Sequence, residues 1–275
     1  MAPLGLGGGF YGLGPTINAG EAVHVNDEDG NYMVVPTGAG NGLQVLDGFQ
    51  STFRGSFTFS TYFYGGNVPK IYNDIFAYLF STQGPSDQHV IQLYTSPSSV
   101  VTQVNFKIEA NNDEVIFRGN ISGLNNNATG WHHILVTATK NSSANTTGKI
   151  FVDGVDITSS SLEQGDLSDT NHGAYDEHGS APKIIIGGRH DLDGNNRAWL
   201  LKHAALWSVA LDADNIAEIY GAGINTPLDL TSASGDYDQQ GNLVGYWKLI
   251  DGAGTTAVDT TGNNNGTLTG NATLI

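Results

Sequence analysis

Polar and apolar positions alternate along much of this chain, and the alternation divides it into short strands. In residues 132–139, His132, Ile134, Val136 and Ala138 share one phase, while His133, Leu135, Thr137 and Thr139 share the other. A period of two marks a strand with one buried face. Phe57, Phe59, Thr61 and Phe63 alternate in the same way with Ser56, Thr58, Ser60, Tyr62 and Tyr64. Shorter runs at Ala22–Val25, Tyr32–Val35, Ile75–Phe80, Val90–Tyr94, Val104–Ile108, Val115–Phe117 and Lys183–Ile186 predict further strands. The Ser-rich, then Asp- and His-rich stretch 158–182 reads as a long polar loop. Many short strands with turn signals between them predict an all-β sandwich.

Two local signals are sharper. Val152-Asp153-Gly154-Val155 is a hairpin turn, because Asp-Gly supplies the positive φ angles of a type I′ turn. Leu211-Asp212-Ala213-Asp214-Asn215-Ile216 opens one short helix near 212–220, with Asp212 as N-cap and Leu211 and Ile216 as a hydrophobic staple. Ile216, Ile219 and Tyr220 form its apolar stripe, and Gly221 suits its C-terminal cap.

Composition agrees with turn-rich β structure. Glycine takes 37 of 275 positions, about twice its usual share of roughly 7%. The net charge of −16, with only 11 Lys and Arg, argues against nucleic acid as a partner. With no cysteine there are no disulfides and no thiolate metal sites, which favours synthesis in a reducing cytoplasm. No apolar run reaches the roughly 20 residues of a membrane span, and the N-terminal residues do not read as a signal peptide. Residues 1–20 form a Gly-rich arm with apolar beads at Leu4, Leu6, Phe10, Tyr11 and Leu13, expected to anchor the chain on a neighbour.

The Trp131-His132-His133 strand, the polar loop after it and the Phe151-Val152-Asp153-Gly154 hairpin resemble the centre of a laminin-G-like domain of the concanavalin A-like lectin/glucanase superfamily. The Ile186-Gly187-Gly188 strand end, the strand ending in Leu206-Trp207 and the Leu211-Asp212 helix resemble its closing half. Leu243-Val244-Gly245-Tyr246-Trp247-Lys248-Leu249 and the loop from Asp259 to Leu268 resemble the family's opening strand, yet here they close the chain. The resemblance therefore implies a circularly permuted jelly roll of two antiparallel sheets over 21–275. In it, 228–242 connects to the closing strand 243–249. The arm and the order of elements also resemble concanavalin A-like proteins in virions of tailed, especially marine, bacteriophages. That resemblance implies a capsid decoration, head-fibre or tail-surface protein, oligomeric or lattice-bound, with other virion proteins as its partners through the arm.

Candidate chemistry is sparse. The glucanase branch of this superfamily uses Glu-x-Asp-x-Glu on one strand, and no two glutamates here lie four apart. The expectation is a protein that is not an enzyme. Calcium is the plausible metal, with Asp191, Asp193 and Asn195 as one oxygen-rich cluster and Asp259, near Asn263 and Asn265, in another. Trp199, beside the first cluster, is the tryptophan to test as a sugar-stacking surface. His132 and His133 point to opposite faces and cannot chelate one metal together. Besides the virion role, the alternative is a lectin or adhesion module, extracellular, binding surface glycans, with calcium as its candidate cofactor.

Overall fold

The computed structural model describes residues 23–25, 33–36, 56–64, 76–82, 88–95, 101–110, 113–121, 131–140, 146–164, 183–187, 199–250, 254–262, 264–269 and 273–274. The arm beads, Leu4 to Leu13, and the acidic cluster Asp191, Asp193 and Asn195 lie outside these residues. Trp199 is described in its backbone alone.

The described strands are β1 (Val23–Val25), β2 (Met33–Pro36), β3 (Phe57–Tyr64), β4 (Phe76–Thr82), β5 (Gln88–Thr95), β6 (Val101–Ala110), β7 (Asp113–Asn120) and β8 (Trp131–Lys140). They continue with β9 (Thr146–Val152), β10 (Val155–Asp156), β11 (Thr158–Gln164), β12 (Lys183–Ile186), β13 (Trp199–Trp207), β14 (Leu243–Trp247), β15 (Thr256–Ala257), β16 (Gly266–Leu268) and β17 (Thr273–Leu274). They form two antiparallel sheets. One runs β10-β9-β8-β3-β13-β1-β17, with β14 also on β13; the other runs β11-β7-β6-β5-β4-β12-β2-β16-β15.

The alternation in β3 and β8 does what its period predicts. Phe57, Phe59, Phe63, Ile134, Val136 and Ala138 enter the inter-sheet core, where they meet Val104, Phe106, Val115 and Phe117 from the second sheet. Phe57 and Phe106 meet edge to face across the sandwich, their centroids 5.8 Å apart. The Asp-Gly hairpin forms as expected. Val152 pairs with Val155, and Asp153 (φ 51°) and Gly154 (φ 75°) both take the left-handed conformation. A side chain at Gly154 would also collide with the Tyr220 ring, 2.6 Å from its Cβ position.

The first and last described strands lie side by side. β1 pairs with Trp199–Leu201 of β13, and β14 pairs with Ala204–Trp207 of the same strand. β17 then pairs with β1, and β16 with β2. Early and late segments therefore fill neighbouring positions, the arrangement a permuted order needs. Where β1 gives way to β14, the register of β13 against β3 shifts between Lys202 and Ala205, and His203 sits at φ 54°. This bulge breaks the strict alternation of the strand.

The helix α1 runs Ala213–Ala222. Asp212 caps it as predicted, accepting from the Asn215 amide at 2.9 Å and from Asn215 Nδ2 at 2.8 Å. Its far end differs from the sequence reading: the helix passes Gly221 and stops at Gly223, the residue with φ 77°. Ala222 is a good helix former and extends the last turn. Asp212→Ala removes the cap and should lower stability by about 1 kcal/mol, read as a lower urea midpoint with an unchanged slope.

Two segments expected to be loops carry structure. Thr158–Gln164, at the start of the predicted polar loop, is edge strand β11, paired to β7 in the register Leu162↔Ile116. An edge strand can draw its stability from backbone bonds on one side, so Ser-rich sequence can form it without apolar alternation. Within the connection 228–242, Tyr237 is fully buried, taking a hydrogen bond from Trp207 Nε1 at 3.0 Å and donating to the Leu230 carbonyl at 2.9 Å.

Candidate functional site

The sheet containing β3, β8 and β13 carries a second apolar cluster on its outward face, covered by α1 and the 228–242 connection. Leu135, Ala205, Trp207, Leu211, Ile216, Ile219, Tyr237 and Tyr246 belong to it. Beside it lies a polar aromatic group. His133 stacks on Tyr220 of α1, with ring centroids 6.0 Å apart, and lies 4.6 Å from Tyr62. Its Nε2 is 2.6 Å from Ser60 Oγ. His203, placed by the bulge, has Nδ1 3.0 Å from the Tyr246 hydroxyl. Lys202 Nζ lies over the half-buried Trp131 ring, 4.5 Å from its centroid.

Burial keeps the histidines His133 and His203 and the phenols of Tyr62 and Tyr246 uncharged at neutral pH. It holds His133 down at about 4, against a smaller upward pull from Asp153. It also holds His203 at about 4, helped by the charges of Lys202 and Lys248. The Tyr62 phenol is pushed up to about 12 by burial first and by Tyr220 and Asp153 next. Tyr246 is raised chiefly by burial as well. Asp153 loses hydration, which would raise it, yet hydrogen bonds from His132 and the His133 amide bring it below the usual carboxylate range. Those two bonds, 2.8 Å and 2.9 Å long, tie the hairpin turn to β8. Within this group, then, Asp153 serves the architecture.

The two histidines divide as their alternation requires. His132 pairs with Phe63 on the core side of the sheet edge, and His133 lies on the outward side beneath α1. Trp207 and Trp247 are core residues.

Asp259 holds its own loop together in place of a cation. It is 1% exposed, and its oxygens accept from the Tyr246 amide (2.8 Å), the Thr261 amide (3.0 Å), Thr261 Oγ1 (2.5 Å) and the Asn264 amide (2.9 Å). Four donors take up the carboxylate's lone pairs, so it does not fit a calcium ligand. Among the described residues no three His, Asp or Glu side chains are grouped to hold a metal.

The other sheet presents what the sequence reading passed over. β6 and β7 send Val104, Phe106, Val115 and Phe117 into the core. Their opposite phase is therefore Gln103, Asn105 and Lys107 on β6, with Ile116, Arg118 and Asn120 on β7. Gln103 faces Asn120 and donates to its Oδ1 at 3.3 Å. Asn105 stands directly opposite Arg118. Asn105 is 7% exposed with Oδ1 unpartnered, and the Nε of half-buried Arg118 is unpartnered too. An unmet buried polar group costs about 1–3 kcal/mol, so two opposed positions on this face carry unused hydrogen-bonding capacity. The signal was present in the polar phase of both strands. Which of those polar residues stand opposite one another is set by the β6–β7 register.

No protein-family model matches the chain, and no curated protein matches it by sequence. Solved structures do. A protein of Bacteroides ovatus, provisionally described as carbohydrate-binding, matches at 18% identity and a TM-score of 0.51, over 94% of this chain and 62% of that one. A structure of botulinum neurotoxin type C, reported with the dependence of its cell entry on two ganglioside molecules, matches at 15% identity and a TM-score of 0.48, over 73% of this chain and 42% of that one. The binding domain of botulinum neurotoxin DC in complex with SialylT matches at 12% identity and the same TM-score, with the same coverage. The chain thus spans less than two thirds of each. The Bacteroides ovatus match and the order of the two antiparallel sheets establish an all-β, jelly-roll-like sandwich.

Proposed function

We propose that this chain is a carbohydrate-binding module that works by recognition alone. The observation that carries this reading is the polar face of β6 and β7, where Asn105 and Arg118 hold an unmet acceptor and an unmet donor at directly opposed positions. Amides and guanidinium groups offer fixed donors and acceptors suited to sugar hydroxyls. The Bacteroides ovatus protein, similar over 94% of this chain, bears a carbohydrate-binding description. Fold alone does not decide function, so the weight rests on the side chains.

The virion role expected from the arm finds no support in these comparisons, and the arm lies outside the described residues. In the histidine cluster the one carboxylate, Asp153, is engaged by its own hairpin and β8. That arrangement suits binding better than hydrolysis, which needs a second carboxylate at a set distance.

The test is a glycan array probed with the purified chain, followed by incubation of any retained glycan with the protein. Selective retention without cleavage is expected, and EDTA should leave it intact because the β6–β7 face uses no cation. A blank array overturns the reading, and so does release of shortened glycan.

A further inference from the structure

We propose that the C-terminal turn of α1 is an acid-released flap, hinged at the helix's N-terminal end and latched by the stacking of Tyr220 on His133. The device lies on the sheet opposite the β6–β7 face and does not depend on the carbohydrate-binding reading.

The two ends of α1 are held in different ways. At its start the chain is hydrogen-bonded to β3: Thr58 Oγ1 donates to the Val209 carbonyl at 2.8 Å and accepts from the Leu211 amide at 2.9 Å. In the first turn Asn215 Oδ1 accepts from the Asp238 amide at 3.2 Å, which ties the helix to the 228–242 connection. At its far end α1 meets the sheet through the apolar side chain of Ile219 and through one ring. Tyr220 lies over His133 with the ring planes 18° apart, and it closes against Gly154 of the hairpin. Among the described residues no hydrogen bond joins 219–223 to either sheet. Tyr220 is 39% exposed, so water already reaches the outer side of the latch. A helix bonded at one end and stacked at the other opens from the stacked end. Burial of Ile219 keeps the open form a minor state at neutral pH.

His133 supplies the response to acid. Its ring packs against Tyr62 and beneath Tyr220; Nε2 bonds with Ser60 Oγ, while Nδ1 is buried without a partner. Both nitrogens of an imidazolium are donors. Protonation in the closed form therefore buries a charge together with an N–H that has no acceptor. The surrounding groups do not offset this. Asp153 of the hairpin favours the cation, but its oxygens already accept from His132 and from the His133 amide. The negative end of the α1 dipole favours it as well. Against these stand burial and Lys202, whose Nζ lies over Trp131 on the same face of β8, and burial dominates, holding His133 at about 4. The other charges are turned elsewhere: Glu218 of α1 lies against Gly235, and Asp156 of the hairpin pairs with Lys149. His203 faces the far side of Tyr62 and the Tyr246 ring, away from the latch. Lifting Tyr220 admits water to Nδ1 and returns the imidazole towards its ordinary value near 6.5. The open form then takes up a proton that the closed form refuses, so its population rises as pH falls. What it uncovers is a strip of the sheet carrying His133 and Tyr62, beside the exposed Val155.

Native-state amide hydrogen exchange of the full-length chain, corrected for the intrinsic rate at each pH, tests the flap. Between pH 7 and pH 4.5 the opening constant of the amides of 219–222 should rise on the order of fiftyfold. Low urea should not change that rise, because a local opening exposes little surface, whereas exchange of the β6 amides, which report global unfolding, should depend steeply on urea. His133→Gln should remove the pH response at 219–222, and His203→Gln should leave it in place. Because His133 is buried, Tyr220→Ala provides a second variant at a partly exposed position. It removes the latch, so exchange at 219–222 should already be fast at pH 7 and should change little with acid. A flat wild-type response, or one that persists in Tyr220→Ala, overturns the proposal. So does acid exchange at 219–222 with the urea dependence of β6, which would mean that the helix leaves only when the whole sandwich unfolds.

Discussion

Acidification from pH 7 to pH 4 should remove several kcal/mol from the stability of this protein. The cause is the pair of buried histidines. His133 and His203 are both held at about 4, against an ordinary value near 6.5. Above pH 6.5 both are neutral in the folded and unfolded chain, and their full contribution is present. Between pH 6.5 and 4 the unfolded chain takes up protons that the folded chain refuses, so stability falls as pH falls. Below pH 4 both states are protonated and the loss is complete. For His133, at 1% exposure, the shift corresponds to about 3 kcal/mol. His203, at 5% exposure, adds a comparable amount. The lowered carboxylates Asp153, Asp156, Asp212 and Asp229 contribute stability that is lost as pH falls from about 5 through their ordinary 3.8 and beyond. Urea midpoints measured at half-unit steps from pH 7 to pH 4 should therefore decline steadily. In the double variant His133→Gln, His203→Gln the part of that slope above about pH 5 should vanish, whatever the variant's absolute stability. A flat wild-type profile would show that these side chains are solvated or already charged in the folded protein.

The same cluster shows how far a sequence can be read. The period-2 pattern placed Phe57, Phe59 and Phe63 on the core side of β3 because burial selects residue type, and the Asp153-Gly154 turn was legible because few residues tolerate positive φ. The apolar stripe of α1 was legible too, and so was its N-cap. The environment of His133 was not: it depends on Tyr220, 87 positions away in sequence, arriving over it when the helix docks. Nor was the bulge at His203, whose cause is a change of neighbour along one edge of β13 from β1 to β14. Asn105 and Arg118 show a further limit. Their alternation with core residues was visible, but their direct opposition follows from the register of the β6–β7 hairpin, and a slip of one residue would have put them on opposite faces.

Asp259→Ala should cost on the order of 4 kcal/mol, the largest effect expected of any single substitution outside the apolar core. The residue sits in Asp259-Thr260-Thr261, and the chain contains a matching sequence, Asp229-Leu230-Thr231. Both aspartates accept from the amide and the hydroxyl of the threonine two positions on. What separates them is burial. Asp229 is exposed, so water can replace its bonds, and Asp229→Ala should stay within about 0.5 kcal/mol. Asp259 is 1% exposed and also serves the amides of Tyr246 and Asn264. Removing its carboxylate strands those donors where water cannot reach them, at about 1–3 kcal/mol each. It also loosens the clamp on β14. The Asn264 carbonyl receives the Trp247 indole at 2.7 Å, and its side chain donates to the Val244 carbonyl at 2.8 Å. Asp259→Asn should lose nearly as much as the alanine variant, because its NH2 would face a donor on one side of the carboxamide. Urea denaturation of the three variants at pH 7 decides the matter. If Asp259→Asn matches wild type, the side chain is not clamped by four donors as described. If added calcium stabilises wild type but not Asp259→Ala, the residue is a metal ligand after all. The expectation is a small loss for Asp229→Ala, a large one for both Asp259 variants, and no response to calcium that depends on Asp259.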